Sequence, residues 1–456
     1  KKYIGDWDFY QKYLLLAIPM ILQNAITNLV SFLDNIMVGQ LGTEQMSGVA
    51  IVNQLIFVYN LAIFGAVSAA SIFGAQYFGK GNHKGHMYSF RFKLYATLLV
   101  TGGAILLFLT KGSALISLYL TDTVGNGATD LALQYGLEYL AIMMVGLIPF
   151  AVNQSYATNI KETGQTFIPM LASFVAVGTN AILDYLMIFG IGPFPELGVQ
   201  GAALATVIAR YIEALIVVIW AHIHRGKNRY LEGAYTGFGI PLAELKAILI
   251  KGFPLMMNEV LWAAGMTTVT QCYSVRGLNV VAGLNIASTI TNLFNIVYLQ
   301  LGSCISIVVG QYLGAGKLED AKDADNKMIV FSVFCCVIMA ALMFVVGGFF
   351  PGIYNTTEEI RELATSFIAV SAIIMPFCAF SHASYFTLRS GGKTVVTFLF
   401  DSVFTWVIVV PAAYLLAHFT GLGIVSIYFL VQGTELIKVI IGYLMVKSNV
   451  WVVQMV

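Results

Sequence analysis

Twelve apolar stretches, each long enough to cross a lipid bilayer, constrain this 456-residue chain more than any other feature. They run over residues 13–38, 47–77, 90–112, 130–158, 166–189 and 198–222, then 247–273, 280–314, 327–349, 361–389, 395–417 and 421–446. A helix needs roughly 20 apolar residues to span the hydrocarbon core, where each backbone polar group must find its partner within the protein. Helices meet that demand locally, so the stretches predict an all-α integral membrane protein. The charge content agrees: 10% of the residues are charged, against about 25% in a soluble domain.

The composition also excludes several classes of function. No basic tract interleaved with aromatics is present, so nucleic acid is not an expected partner. The five cysteines (Cys272, Cys304, Cys335, Cys336 and Cys378) fall inside apolar runs without CxxC spacing or a Cys/His cluster. They read as buried free thiols rather than a metal centre or disulfide framework. No HExxH, GxGD or Ser/Lys constellation appears, and no loop could hold a soluble catalytic head. An enzyme, or a protein with a bound cofactor, is therefore not expected. The N-terminal stretch lacks the short apolar core and small-residue cleavage site of a signal peptide.

Cations decide the expected orientation. With the termini and alternate loops on one side, 19 of the 24 Lys and Arg lie there, Lys1 and Lys2 among them. Only Lys111, Arg276 and Arg361 fall on the other side, and Arg210 and Lys438 lie within spans. Positive loops mark the cytoplasm. Both termini are expected there, in a multi-pass membrane protein.

The chain also repeats itself. Gln76-Tyr-Phe-Gly79-Lys-Gly81 recurs as Gln311-Tyr-Leu-Gly314-Ala-Gly316, an offset of 235. The same offset pairs Pro19 with Pro254, Gly42 with Gly277 and Gly48 with Gly283. Pro149-Phe150 matches Pro376-Phe377 at 227, Gly164-Gln165-Thr166 matches Gly392-Lys393-Thr394 at 228, and Gly198 matches Gly423 at 225. Collinear matches along both halves predict two six-helix lobes, residues 1–223 and 251–456, with a linker at 224–250. An even number of spans per half makes the lobes parallel repeats, as in secondary transporters whose cleft opens to either face.

These motifs resemble the multidrug and toxic compound extrusion (MATE) transporters. The repeated QY(F/L)GxG carries the likeness, with Ser31-Phe-Leu-Asp34-Asn35-Ile-Met-Val-Gly39 in the first span. Asn180-Ala-Ile-Leu-Asp184 in the fifth span and Gly198-Val-Gln-Gly-Ala-Ala-Leu-Ala-Thr206 leading into the sixth add to it. The resemblance implies a two-lobed, twelve-helix antiporter that exports small organic cations and drugs against protons or sodium, acting as a monomer. A lipid or lipid-linked oligosaccharide flippase of similar shape is the alternative, but its cleft needs cations for phosphates and offers only Arg210 and Arg389.

Six acidic residues fall within the spans: Asp34, Asp184, Glu213, Glu259, Asp401 and Glu435. A mid-span carboxylate costs roughly 2.5–3.5 kcal/mol to insert, so each needs a partner, a cavity or a task. Arg210 precedes Glu213 by three and Lys438 follows Glu435 by three, spacing that predicts two ion pairs on single helix faces. Asp34 and Asp184 have no such cation. Each lies about five residues from the outer end of its span, at matching depth. Asn180 sits one turn before Asp184. Asn24, Thr27, Asn28, Ser31 and Asn35 add a polar stripe to the first span, expected to face protein or water.

Two carboxyls brought together in a dry site hold a proton or a cation between them, and Asn180 offers a neutral oxygen of the kind sodium accepts. The second half does without them: Val269 stands at the Asp34 position and apolar residues near Val409 at that of Asp184. A buried aspartate tying helices together is the structural alternative. The resemblance makes Asp34, Asn180 and Asp184 the ion site, with Thr206 a further ligand and Pro19 the point where the first helix bends. Pro254, its counterpart, leaves plain repeat architecture equally open for Pro19. In the second half, Glu259 matches a functional glutamate of some family members. The acidic residue those members carry in the tenth span is absent, with only His382 there. Asp401, near Arg389 and His382 in sequence, either replaces it or forms a structural ion pair.

Overall fold

The computed structural model describes residues 3–120 and 127–456, so Lys1 and Lys2 lie outside the described residues. The first half contains α1 (Trp7–Gly39), α2 (Thr43–Lys80), α3 (His83–Ser117), α4 (Ala128–Val145), α5 (Leu147–Glu162), α6 (Phe167–Phe189) and α7 (Val199–Ile223). The second contains α8 (Leu242–Ser274), α9 (Leu278–Gly314), α10 (Leu318–Gly347) and α11 (Glu358–Ser390). It ends with α12 (Thr394–Phe398), α13 (Val410–Phe419), α14 (Ile424–Gly433) and α15 (Glu435–Lys447). Among the described residues, 11 helices are long and apolar enough to cross a membrane, or 12 if α4 and α5 count as one bent span. The chain is a multi-pass membrane protein.

Turn chemistry follows the repeat. Gly81 and Gly316 close the two QYxGxG motifs at φ 74° and 75°. Gly164 and Gly392 end α5 and α11 at 83° and 72°. Left-handed backbone is costly for a residue with a Cβ, so glycine recurs at the same place in each half.

Two spans are irregular. Between α4 and α5 the helix bends by 44°. Pro149 has no N–H for the Val145 carbonyl one turn back, and a proline ring crowds that position. The freed Val145 carbonyl finds a side chain, accepting the Tyr211 hydroxyl at 3.3 Å, while Arg210 Nη1 adds a bond at 3.4 Å to the Gly146 carbonyl, which still accepts the Phe150 N–H at 3.4 Å. Between α12 and α13, Leu399–Val403 and Thr405–Val409 are π-helical, immediately before Pro411 in the first turn of α13.

The chain divides into two compact units, whose bounds differ from the expected split at 223 and 251. One comprises Leu22–Gly74 and His83–Leu245, the other Lys1–Ile21, Ala75–Asn82 and Lys246–Val456. Packing explains the exchanges. Tyr230, Leu231 and Ala234 of the linker are buried with Phe90, Tyr156 and Val217, so the linker belongs to the first unit. Tyr13, Ala17 and Met20 pack against Leu301, Cys304 and Ile305 in the second. The boundary within α1 falls two residues after Pro19.

Residues 75–82 join the second unit through the repeated motif. A Cβ on Gly79 would run into the Gln311 carbonyl, and one on Gly314 into the Gln76 carbonyl. Each motif thus meets its own repeat counterpart, backbone to backbone. The Gln76 amide donates to the Ser390 carbonyl at 3.0 Å, and its Oε1 accepts the Met455 N–H at 2.8 Å.

Candidate functional site

In the first unit, α6 ends at Gly190 in left-handed backbone (φ 66°). Gly201 then lets α7 approach the Met187 carbonyl, which a Cβ there would meet at 2.7 Å. This close crossing brings Thr206 to Asn180, whose Nδ2 donates to Thr206 Oγ1 at 3.3 Å. Asp184 follows one turn later on the same face, 1% exposed. Asp34 of α1 completes the group: its carboxyl and that of Asp184 come within hydrogen-bonding reach of each other. Asn180 also reaches the Asp184 carboxyl. No ion pair among the described residues serves Asp34 or Asp184, whose oxygens Asp34 Oδ1, Asp184 Oδ1 and Asp184 Oδ2 are buried.

The carboxyls line a cavity of about 460 Å³ together with Ser31, Asn53, Tyr139, Thr206 and Arg210. Tyr139 donates to Asn53 Oδ1 at 3.3 Å across it. Asn180, Asp184, Thr206 and Asp34, named from sequence, are therefore together. Tyr139 and Asn53 were not named; an isolated Tyr or Asn in an apolar run carries no signal of its own.

The polar stripe of α1 is mostly exposed. Asn28 donates to the Asn24 carbonyl at 2.8 Å and Ser31 to the Thr27 carbonyl at 3.0 Å. These side chains satisfy themselves on the preceding turn, while Ser31 also reaches the cavity. Helix α1 runs unbroken through Pro19, as α8 does through Pro254.

Neither expected i,i+3 ion pair forms. Arg210 turns to the Gly146 carbonyl and lies 5.0 Å over the Phe150 ring, while Glu213 accepts the Ser173 hydroxyl. Lys438 pairs with Asp401 at 2.7 Å, leaving Glu435 Oε1 buried without a donor. Partners on neighbouring helices compete successfully with those three residues away on the same helix.

In the second unit, Asp401 is fully occupied. Lys438 Nζ takes Oδ1, and Asn258 Nδ2 donates to Oδ2 at 3.0 Å. Asp401 is thus an ion-paired residue, with Lys438 as its partner rather than Arg389 or His382. Glu259 lies within electrostatic reach of Arg389 and Asp401. Arg389 sits 5.6 Å over the Phe386 ring with Nε unpartnered. The His382 ring packs on Tyr298, centroids 4.7 Å apart, and its Nδ1 faces the Cys378 carbonyl at 2.9 Å.

Two buried carboxyls escaped the sequence reading. Glu162 (2% exposed) pairs with Lys93 and meets His86 at 3.1 Å, and Lys93 also donates to Asn159 at 2.5 Å. Asp325 (0%) accepts the Thr387 hydroxyl at 2.5 Å. Both lie in helical turns beyond the apolar windows, at the end of α5 and the start of α10.

The carboxyl pair lies in a chain whose family is recognisable in both halves. The MatE family model matches residues 19–186 and again 254–415. The chain belongs to the MATE family. Its two matched segments start at Pro19 and Pro254, in register with the internal repeat. The chain is similar to the probable multidrug resistance protein NorM of Thermotoga maritima, 23% identical over 421 residues, 92% of this chain and 88% of that protein. The NorM of Halalkalibacterium halodurans is 24% identical over 413 residues, 90% and 88% of the two. Among solved structures, a multidrug resistance MATE transporter in an outward-facing conformation shares the fold, with TM-score 0.87 and 20% identity over 98% and 96% of the chains.

Proposed function

We propose that this MATE protein is a multidrug efflux antiporter of a bacterial cytoplasmic membrane, with both termini in the cytoplasm. It exchanges small organic cations for protons or sodium by opening alternately to the two sides. One observation carries this reading: Asp34 and Asp184 lie within hydrogen-bonding reach of each other at a cavity and have no ion-pair partner among the described residues, whereas Asp401 is held by Lys438 and Asn258. Unpaired intramembrane carboxyls are costly and mark ion pathways.

A proton shared by the pair, or sodium held by Asp34, Asp184, Thr206 and the Asn180 carbonyl, neutralises the site. Emptying it restores negative charge for the next cationic cargo. Ion and cargo bias the conformations only through their different affinities for each, and one shared site supplies that difference. The unit boundary beside Pro19 supports a pivot in α1.

Efflux of a fluorescent organic cation from proteoliposomes, under separately imposed proton and sodium gradients, tests the reading. Asp34→Asn and Asp184→Asn are each expected to abolish gradient-driven transport while the purified protein still binds the dye. Undiminished gradient-driven efflux in both variants overturns it.

A further inference from the structure

The linker joining α7 to α8 ends in an exposed aromatic tip held rigidly from below. Arg91 of α3, 6% exposed, donates to three linker carbonyls: Nε to Ala234 at 2.9 Å, Nη1 to Gly239 at 2.7 Å and Nη2 to Gly233 at 2.7 Å. Tyr230, Leu231 and Ala234 are buried beneath, and the Tyr235 hydroxyl meets that of Tyr156. Between the clamped carbonyls stands Gly237-Phe238-Gly239, with Phe238 81% exposed and Leu242 78% exposed just beyond. A large apolar side chain fixed in water by a buried arginine has no folding role.

Two observations say what covers it. Tyr211, Leu215, Ile219 and Ile223 are all exposed on α7. Spaced four apart, they form one apolar face suited to lipid that runs down to the linker. Arg225, Lys227 and Arg229 follow directly, all exposed; Glu232 is the one acidic residue among them, 3.5 Å from Arg229. An apolar tip with adjacent cations, continuous with a lipid-facing stripe, matches the headgroup zone of a bilayer.

We propose that the linker is a membrane anchor: Phe238 and Leu242 enter the interfacial zone of the leaflet on their own side, and Arg225, Lys227 and Arg229 hold anionic phospholipid headgroups. The loop is already ordered by Arg91, so insertion costs little conformational entropy. This goes beyond the proposed antiport and does not depend on the carboxyl pair.

The test uses the full chain in phosphatidylcholine vesicles, with and without phosphatidylglycerol. An environment-sensitive fluorophore is attached at Phe238→Cys and, as a control on the same linker, at Glu232→Cys; the parent protein sets the background from its five native thiols. The label at 238 is expected to emit to the blue of that at 232 and to resist a water-soluble quencher severalfold better. Phosphatidylglycerol should deepen it further, and that increment should vanish when Arg225, Lys227 and Arg229 are all changed to Gln. Equal quenching at 238 and 232 in both lipid mixtures overturns the anchor and leaves the tip for a soluble partner. A deep label indifferent to phosphatidylglycerol overturns the headgroup assignment.

Discussion

Removing the ammonium of Lys93 leaves Glu162 and its 2%-exposed carboxylate without the cation that compensates it. Breaking a buried pair from one side costs about 3–5 kcal/mol. Lys93→Met is expected to lower unfolding stability in detergent by that order, and Lys93→Met with Glu162→Gln to recover much of it. Asp401→Asn separates structure from coupling in the same way. Lys438, 7% exposed, loses its counter-charge, so stability is expected to fall by about 3 kcal/mol while gradient-driven efflux persists. Lost coupling with unchanged stability would instead put Asp401 in the transport path. At this scale the sequence was only partly legible. Asp34 and Asp184 could be matched in depth by counting residues from the ends of their spans. The partners of Arg210, Glu213, Lys438 and Glu435 could not be found so, because spacing on one helix says nothing of the hydroxyls and carboxylates on its neighbours. Glu162 and Asp325 were hidden because helices continue past the apolar core that hydropathy detects.

Among the elements, the span from α12 to α13 contains two π-helical segments, Leu399–Val403 and Thr405–Val409, and Asp401 lies in the first. A π-segment holds one residue more per turn than an α-helix allows, and such segments are often found at functional positions. Deleting Val407, whose side chain is exposed, should let Thr405–Val409 rewind as α-helix with Asp401 still in register with the helix beyond Pro411, because four residues of α-helix turn nearly as far as five of π-helix. The expected outcome is a retained Lys438 pairing, with none of the stability drop of Asp401→Asn; a drop of that size would show that the wider turn itself aims Asp401. Hydropathy marked the span but not its winding, since i→i+5 bonding leaves no trace in apolar periodicity. The 44° bend between α4 and α5 was half visible: Pro149 stands in the sequence, but nothing there says that Tyr211 would take up the Val145 carbonyl it frees.

In the whole molecule, the duplication was the most readable feature, because matching offsets need no knowledge of packing. What the offsets could not say is that the matched motifs touch. Gly79 lies against Gln311 and Gly314 against Gln76, so a methyl group on either glycine must push two backbones apart. Overpacking of this kind typically costs about 1–3 kcal/mol. Gly79→Ala and Gly314→Ala are each expected to lower unfolding stability by that order. The double variant should fall short of the sum, since neighbouring sites are not additive; strict additivity would mean that the contacts are independent.

Copies of a duplicated segment are ordinarily free to drift apart, one keeping an old task while the other takes on a new one. That freedom ends where Gly79 and Gly314 face each other's counterpart. A side chain acquired by one copy is refused by the carbonyl of the other, so neither can explore alternatives by itself. The lobes could differentiate their ion chemistry, one holding a carboxyl pair without a cation and the other a lysine-locked aspartate, only while this crossing stayed the same in both.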